Sequence, residues 1–344
     1  MEIDTYRGSF RPMSILSHSQ SGPLMADDDG VFTLSFLLLP EYSMMSLLSM
    51  TEPLRIANRI AEKEVFRWQC LSEDGNPVIA SNGMALEQSI HIDSCASPKN
   101  LFVNASFRPE KYTGETCVRW LRNLDRKNSV IGAIDTGCYV LAKAKLLEGY
   151  KVTLHWEAKP AFQERYPYLN VSDELFKIDG NRITCAGGAA ASDMVLYFIE
   201  YYCQSEVADL VCEQLISNGT RNHADRQRPS RSKKLNVYHP KILKALELMD
   251  GNIETPLTTV HIANVLSISI RQLERLFLQH LKSSPSAYYL RLRMEYAHYL
   301  LSDSGLSITE IALASGFCST AHFSRRYRAF YGKTATQYRL LTLA

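Results

Sequence analysis

The 344-residue chain lacks the cysteine patterns that mark a zinc site or a disulfide framework. Its eight cysteines are scattered, with no C-x-x-C pair and no cysteine–histidine cluster at the spacing of zinc ligands. Isolated thiols of this kind are typical of proteins in a reducing compartment. The sequence therefore predicts a cytoplasmic location and neither a metal nor a cofactor.

Long apolar runs are also missing. The longest early run lies within residues 31–39, which suits a buried strand and falls far short of the ~20 residues that a membrane helix needs. We therefore expect no membrane segment and no secretory signal. Residues 1–30 are rich in serine, aspartate and glycine, and this composition predicts a disordered leader.

The net charge is small, but it is unevenly distributed. The formal value is +2, whereas residues 1–218 hold 20 Lys and Arg against 28 Asp and Glu, and residues 219–344 hold 18 against 8. The length suggests two domains, because single cores rarely grow past ~250–300 residues. An acidic domain followed by a basic one indicates nucleic-acid binding, although a basic domain that is merely soluble would show the same imbalance.

Residues 31–218 alternate between strand-like and helix-like segments. The strand-like segments are 31–39, 66–72, 100–104, 130–135 and 182–185. The helix-like segments are 43–61, 109–126, 138–147, 190–203 and 205–217. Repeated β-then-α units predict an α/β domain with a mostly parallel sheet covered on both faces.

Residues 219–239 separate this domain from a helical one. The stretch holds six Lys and Arg, one proline and few apolar residues, which predicts a flexible basic linker. Its basic part, residues 219–234, would span roughly 20 Å root-mean-square if flexible, so we expect the two domains to move independently. From residue 240 to residue 344 every strong segment has helical spacing, which predicts an all-α domain.

The helical domain contains an internal repeat, with one copy at 262–277 and the other at 311–327. In each copy a short helix beginning with Ile-Ala precedes a small turn residue, an apolar residue and a serine that caps the next helix. These three positions are Ser267, Ile268 and Ser269 in the first copy and Gly316, Phe317 and Ser319 in the second. The pattern predicts two helix-turn-helix units.

Helical geometry separates a buried face from a DNA face in each second helix, the recognition helix. The side chains predicted to be buried are Leu273, Leu276, Phe277, Phe323, Tyr327 and Phe330. Those predicted to face DNA are Arg271, Gln272, Glu274 and Arg275 in the first helix, and Ser319, Thr320, Ala321, Ser324 and Arg325 in the second. Arginine recognises guanine, glutamine adenine, glutamate cytosine, and alanine the thymine methyl group. Alternatively, these are ordinary surface residues of a helical bundle.

A helix between the two copies carries apolar residues at helical spacing, namely Leu290, Met294, Ala297 and Leu301. It would hold the recognition helices about one DNA turn, ~34 Å, apart. Residues 240–344 resemble the AraC/XylS family, and the matching segments are 285–290, 293–297, 308–312, 316–317, 322–323 and 331–334. The resemblance implies binding to double-stranded promoter DNA, usually by an activator that recruits RNA polymerase.

Residues Gly132–Ala142 predict a strand that runs through a tight turn into a helix, the arrangement of a nucleophile elbow. Cys138 is expected at the point of the turn, where a helix N-terminus favours a thiolate. His155 and Trp156 follow in the sequence. A cysteine–histidine dyad would suit a cysteine-dependent hydrolase or amidase.

Residues 31–218 resemble the PfpI domain, of class I amidotransferase-like fold, in the version fused to AraC-type domains (GlxA-like regulators). The segments that carry the resemblance are 39–40, 52–58, 71–75, 136–137, 153–156 and 185–188. Catalytic relatives place an acidic residue on the first helix beside the cysteine. This chain has Ser46 or Leu47 there, so the polar network of a catalytic cysteine is incomplete.

The resemblance implies a ligand-sensing pocket in a retired catalytic site. The candidate effector contacts are Cys138, Tyr139, His155 and Trp156, and the rings of Tyr139 and Trp156 would suit a cation. The resemblance also implies an amino acid or quaternary ammonium effector and a homodimer. Two alternatives stay open: these residues are purely structural, or Cys138 retains hydrolase activity.

Overall fold

The computed structural model describes residues 22–87, 89–95, 97–217, 219–227, 239–303 and 306–343. The chain divides into two compact units. Within the described residues, the first unit runs to His155 and resumes at Tyr168–Gln227, and the second consists of Trp156–Pro167 and the residues from 239 onward. This division departs from the predicted one, because Trp156–Pro167 groups with the C-terminal helices.

The first unit is built around a parallel sheet. Its described strands are β1 (Phe32–Leu38), β2 (Phe66–Ser72), β3 (Val78–Ile79), β4 (Ala85–Leu86), β5 (Ile90–His91), β6 (Asn100–Ala105), β7 (Val130–Asp135), β8 (Lys151–Val152), β9 (Asn170–Val171), β10 (Phe176–Asp179) and β11 (Arg182–Cys185). Seven of them form one sheet in the order β10-β11-β7-β6-β1-β2-β5, and only the edge pair β10–β11 is antiparallel. The central strands β6 and β7 are buried throughout, as in sheets covered on both faces. The predicted α/β class is confirmed.

The described helices of the first unit are α1 (Met44–Ile60), α2 (Glu115–Arg126), α3 (Cys138–Lys143), α5 (Ala190–Cys203) and α6 (Ser205–Gln214). Helices α1, α5 and α6 bury their apolar faces in one core with alternate side chains of β1. Helix α2 packs against β7 and α3. Ser43 caps α1, because its Oγ accepts a hydrogen bond from the Ser46 N–H (3.2 Å).

Two helices are shorter than predicted. The helix expected from residue 109 begins only at Glu115, since Thr113 Oγ1 donates to Pro109 O (2.7 Å) in a preceding turn and Gly114 is the N-cap. The helix expected to reach residue 147 ends at Lys143. Lys145 has φ +59°, a left-handed conformation that stops the helix.

Part of the predicted leader and part of the predicted linker belong to the first unit. Leu24 is buried and its N–H donates to Tyr202 Oη (2.7 Å), so residues 22–30 belong to the folded unit, whereas residues 1–21 lie outside the described residues. In the linker, Arg221 forms an ion pair with the buried Asp193 (2.6 Å), and Gln227 Nε2 donates to Leu154 O (2.9 Å). Residues 219–227 are therefore folded, and 228–238 lie outside the described residues.

The second unit is helical in all its labelled elements. They are α4 (Lys159–Arg165), α7 (Pro240–Asp250), α8 (Thr259–Val265), α9 (Ile270–Leu281), α10 (Pro285–Asp303), α11 (Ile308–Ala314), α12 (Thr320–Tyr331) and α13 (Ala335–Leu343). They enclose two apolar cores, one around Leu273 and Phe277 and one around Phe323 and Tyr327. Among the described helices of either unit, none is both long and apolar enough to cross a membrane.

Candidate functional site

The first recognition helix, α9, begins at a capping box. Ser269 Oγ accepts a hydrogen bond from the Gln272 N–H (3.2 Å), and Gln272 Oε1 accepts one from the Ser269 N–H (3.0 Å). The reciprocal pair satisfies two N–H groups at the helix end. The predicted cap is confirmed, and the side chain of Gln272 is engaged in it.

The inner face of α9 is buried and its outer face is exposed. Leu273 and Phe277 are fully buried, and Leu276 is half-buried against the same core. The four side chains predicted to face DNA are all exposed, namely Arg271, Gln272, Glu274 and Arg275. Within the part of the chain that the structure describes, neither guanidinium group has an ion-pair partner.

The second recognition helix, α12, repeats this arrangement with one difference. Ser319 caps it, because its Oγ accepts from the His322 N–H (3.4 Å), and Phe323 and Tyr327 are fully buried. Of the predicted DNA-facing side chains, the exposed ones are Ser319, Ala321 and Arg325 and the half-buried ones are Thr320 and Ser324. The prediction that Phe330 is buried is wrong, since it is 43% exposed. The buried stripe continues through Tyr331 instead, whose ring stacks on His298 (4.5 Å between centroids).

The turn before each recognition helix contains a residue in the left-handed conformation. Ser267 has φ +52° in the first unit and Gly316 has φ +76° in the second. Gly316 is also tightly enclosed, because a Cβ there would lie 2.5 Å from Ile253 O and 2.5 Å from Pro256 Cγ. The second turn therefore accepts only glycine without rearrangement.

Helix α10 joins the two cores. Tyr288, Tyr289 and Leu292 pack in the first core, and Met294, Ala297, Leu300 and Leu301 pack in the second. Because one continuous helix contributes to both cores, the two helix-turn-helix units are held on a common support. The predicted apolar stripe of the connecting helix is confirmed.

Two polar side chains of α10 form hydrogen bonds to the adjoining turns, and helical spacing alone predicts neither contact. Arg293 donates from Nε to Ser315 O (2.9 Å) and from its terminal nitrogen to Gly316 O (2.6 Å), and its guanidinium lies 4.2 Å from the centroid of the Phe317 ring. Tyr289 Oη donates to Asn252 O (2.5 Å). An arginine adjacent to an apolar stripe was the available signal, since a half-buried charge needs partners.

The second unit also contains Trp156–Pro167, a segment predicted to belong to the N-terminal domain. Its helix α4 packs against α10, and Ala161 is buried in the same core as Met294 and Ala297. The Trp156 ring meets the Tyr299 ring edge-on, with centroids 5.6 Å apart. This segment therefore contacts α10, the helix that supports both recognition helices.

In the first unit, the predicted elbow exists but has a different residue at its point. Strand β7 ends at Asp135, whose φ of +61° marks the sharp turn, and α3 starts three residues later at Cys138. The expectation that Cys138 occupies the point is wrong. The residue at the position of a nucleophile is a carboxylate, which does not perform thiolate chemistry.

Cys138 lies beneath the elbow, in the interior. The side chain is fully buried and its Sγ donates to Thr153 O (3.2 Å). Burial raises the pKa of this thiol well above its usual range, so the thiol stays protonated and is a poor nucleophile. The geometry does not support a hydrolase that depends on Cys138.

Ser46, rather than Leu47, faces the elbow. Its Oγ accepts a hydrogen bond from the Gly188 N–H (2.7 Å). A Cβ on Gly187 would lie 3.0 Å from that Oγ and 2.8 Å from Asp135 Cβ, so the serine and the aspartate flank the same glycine. A hydroxyl thus occupies the place where catalytic relatives have an acid.

The four predicted effector contacts are divided between the two units. Tyr139 is buried on α3, and the N–H of His155, three residues after β8, donates to Asp135 O (3.2 Å). Trp156 belongs to the second unit, where its ring packs on Tyr299.

Comparison with known proteins matches both units. Residues 44–201 match the model of the DJ-1/PfpI family, and residues 262–340 match that of a helix-turn-helix domain. The chain is 44% identical over 302 residues to the HTH-type transcriptional regulator CdhR of Pseudomonas aeruginosa (88% of this chain, 90% of that protein). It is 38% identical over 300 residues to the regulator GbdR of the same species (87% and 82%) and 34% identical over 310 residues to the regulator GlxA of Rhizobium meliloti (90% and 96%).

These relatives are matched along nearly their whole length, across both the DJ-1/PfpI unit and the helix-turn-helix unit. The chain therefore belongs to the GlxA-like family of HTH-type transcriptional regulators, in which a DJ-1/PfpI domain precedes an AraC-type DNA-binding domain.

Proposed function

We propose that this protein regulates transcription by inserting α9 and α12 into successive major grooves of promoter DNA, and that a small molecule bound by the first unit modulates this binding. One observation carries the proposal. Each recognition helix buries one face in its own core and exposes arginine side chains on the opposite face, and a single helix supports both cores.

We assign base recognition to the predicted DNA-facing side chains that do not cap a helix. Arg271, Glu274 and Arg275 on α9, and Thr320, Ala321, Ser324 and Arg325 on α12, would contact base edges. Gln272 and Ser319 are engaged in caps, so we assign them to positioning of the helix N-termini near phosphates. The exposed Lys282, Arg328 and Lys333 would contact phosphates.

The family resemblance supports the remaining parts of the proposal. In this scheme the regulator acts in the cytoplasm as a homodimer joined through its first unit. It activates transcription by recruiting RNA polymerase to the promoter.

The segment Trp156–Pro167 links the elbow of the first unit to the helices of the second unit through the chain. The chain passes from the first unit to the second between His155 and Trp156 and returns between Pro167 and Tyr168. On the first side, the His155 N–H is bonded to the elbow at Asp135. On the second side, Trp156 packs on α10. A change at the elbow would therefore be transmitted to the helix that positions both recognition helices.

Selection of binding sites from random double-stranded DNA tests the proposal with the full-length protein. We expect an enriched bipartite motif whose halves lie about 10 bp apart, because two recognition helices of one chain would meet one face of the duplex. Affinity for the selected site should exceed that for random DNA by ~10³-fold or more and should fall steeply with salt. A pool with no enriched sequence would contradict the proposal.

Replacing Cys138 by alanine separates regulation from catalysis. We expect unchanged DNA binding and a loss of about 1–2 kcal/mol in unfolding free energy, since a buried S–H hydrogen bond and a small volume are removed. Cys138→Ser, which keeps a donor, is the matched control. Thermal unfolding, DNA titration and an ester- or amide-hydrolysis assay are the measurements. A turnover that both substitutions abolish would support the hydrolase instead.

A further inference from the structure

The first unit contains a cavity of about 530 Å³ that is separate from the elbow. This volume falls within the range of small-molecule sites, ~300–1,000 Å³. Its walls are the end of β1 and the residues after it (37–40), the end of β2 and the residues after it (72–74), the start of the β3 hairpin (77–79), and Tyr112 and Cys117.

The cavity lies at the carboxyl ends of the parallel strands, beside the point where the strand order reverses. Strand β1 pairs with β2 on one side and with β6 on the other, so the strand order reverses at β1. In open parallel sheets, ligands bind outside the carboxyl ends of the strands at such a switch point. The cavity is formed at the carboxyl ends of β1 and β2.

The charges in the cavity wall are of one sign. The lining is mostly apolar and includes two carboxylates, Glu73 and Asp74, but no lysine, arginine or histidine. Asp74 is occupied by its own turn, because its carboxylate accepts from the Asn76 N–H (3.0 Å) and from Asn76 Nδ2 (2.9 Å). Glu73 is therefore the charge available to a ligand.

The carboxylate of Glu73 is not paired with a basic side chain within the described residues. Within the described part of the chain it has no hydrogen bond or ion pair. A Cβ on Gly114 would lie 3.1 Å from Glu73 Oε1, which places the carboxylate against the N-terminus of α2, and no side chain caps that helix. The ammonium of Lys143 donates to Thr113 O (2.6 Å) and forms no ion pair with Glu73.

We infer that this cavity, rather than the elbow, is the effector site, and that it binds a small organic cation with an apolar body through Glu73. An apolar wall with one unpaired carboxylate favours a ligand that carries a positive group at one end, and it repels anions. This inference rests on the proposed function in one respect, namely that the first unit senses a small molecule.

The test uses three probes with a common apolar body and different charge: 2-phenylethylammonium, 2-phenylethanol and 3-phenylpropanoate. Calorimetric titration of the full-length protein without DNA should show saturable binding of the cation, with the alcohol and the anion at least tenfold weaker. Glu73→Gln, which keeps shape and removes charge, should raise the Kd of the cation about 10- to 100-fold, the loss expected for a hydrogen bond to a charged group. Glu148→Gln, an exposed carboxylate outside the cavity, is the control with the same charge change.

Two further comparisons locate the site. Cys138→Ala should leave the Kd of the cation unchanged. If Cys138→Ala raised that Kd as much as Glu73→Gln does, the ligand would bind at the elbow and the inference would be overturned. Equal binding of all three probes, or unchanged cation binding in a folded Glu73→Gln variant, would also overturn it. Because the titration contains no DNA, its failure leaves the DNA-binding proposal standing, and failed site selection leaves the cavity assignment standing.

Discussion

Specific DNA binding by a variant that carries both Arg271→Ala and Arg325→Ala is expected to be weaker by roughly 2–6 kcal/mol, or about 30- to 10⁴-fold in Kd. Each arginine is exposed on the outer face of its recognition helix, opposite the buried face. A bidentate arginine–guanine contact contributes about 1–3 kcal/mol of discrimination, and the two helices belong to separate cores, so their losses should add.

The measurement is a fluorescence titration with the selected site and with random competitor. Each single variant should relax base preference at one position of its own half-site, because the two arginines lie on different helices. Arg119→Ala, which removes an exposed arginine of the first unit, should bind like the wild type. Wild-type affinity and preference in both single variants would show that the outward faces of α9 and α12 do not read DNA.

A phosphate contact should behave differently from a base contact. Arg328 is exposed near the end of α12, away from the N-terminal part that would meet base edges. Arg328→Ala should therefore weaken selected and random DNA by similar factors and lower the salt slope by about one. This comparison separates loss of charge from loss of sequence recognition.

Local spacing was sufficient to predict the inner face of each recognition helix for most of its length. Leu273, Phe277, Phe323 and Tyr327 were predicted from helical periodicity and are fully buried. The serine caps followed from the same local pattern. The prediction failed at Phe330. Counted from Tyr327, Phe330 (i+3) and Tyr331 (i+4) both lie on the inner side of the helix, and only packing against a neighbouring helix decides which of the two is buried. His298 of α10 stacks on Tyr331 and so selects the i+4 position.

The elbow shows a second limit of the sequence. The strand, the turn and the helix were all predictable, yet the residue with left-handed φ is Asp135 and not the chemically attractive Cys138. Gly187, distant in sequence, lies close to Asp135 at this turn. Periodicity carries no information about that contact.

The packing of Trp156–Pro167 on α10 was unpredictable for the same reason. Trp156 and Tyr299 are far apart in sequence, so no local pattern indicates that their rings meet. The hydrogen bonds of Arg293 to the turn before α12 are also long-range relative to the helix repeat. Such contacts position the predicted DNA-facing residues, although they do not identify them.

Gly316→Ala is expected to destabilise the second helix-turn-helix unit by about 2–5 kcal/mol. Left-handed φ costs a residue with a Cβ roughly 1–2 kcal/mol, and overpacking adds about 1–3 kcal/mol. The overpacking arises because the added methyl would lie 2.5 Å from Ile253 O, a backbone atom, and 2.5 Å from Pro256 Cγ. The Arg293 hydrogen bond to Gly316 O would be displaced as well.

Gly332→Ala is the matched control for this prediction. Gly332 also has positive φ (+73°) and caps α12, but an added Cβ there meets nothing within 4 Å, so only the conformational cost of roughly 1–2 kcal/mol applies. Hydrogen exchange of the full-length protein should show lower protection of α11 and α12 in Gly316→Ala than in Gly332→Ala. Site selection with Gly316→Ala should weaken the half-site of α12 more than that of α9, because Gly316 lies in the turn directly before α12. Equal protection in the two variants would mean that the loop at Ile253 moves to accommodate the added methyl group. The close contact around Gly316 would then not be what fixes the position of α12.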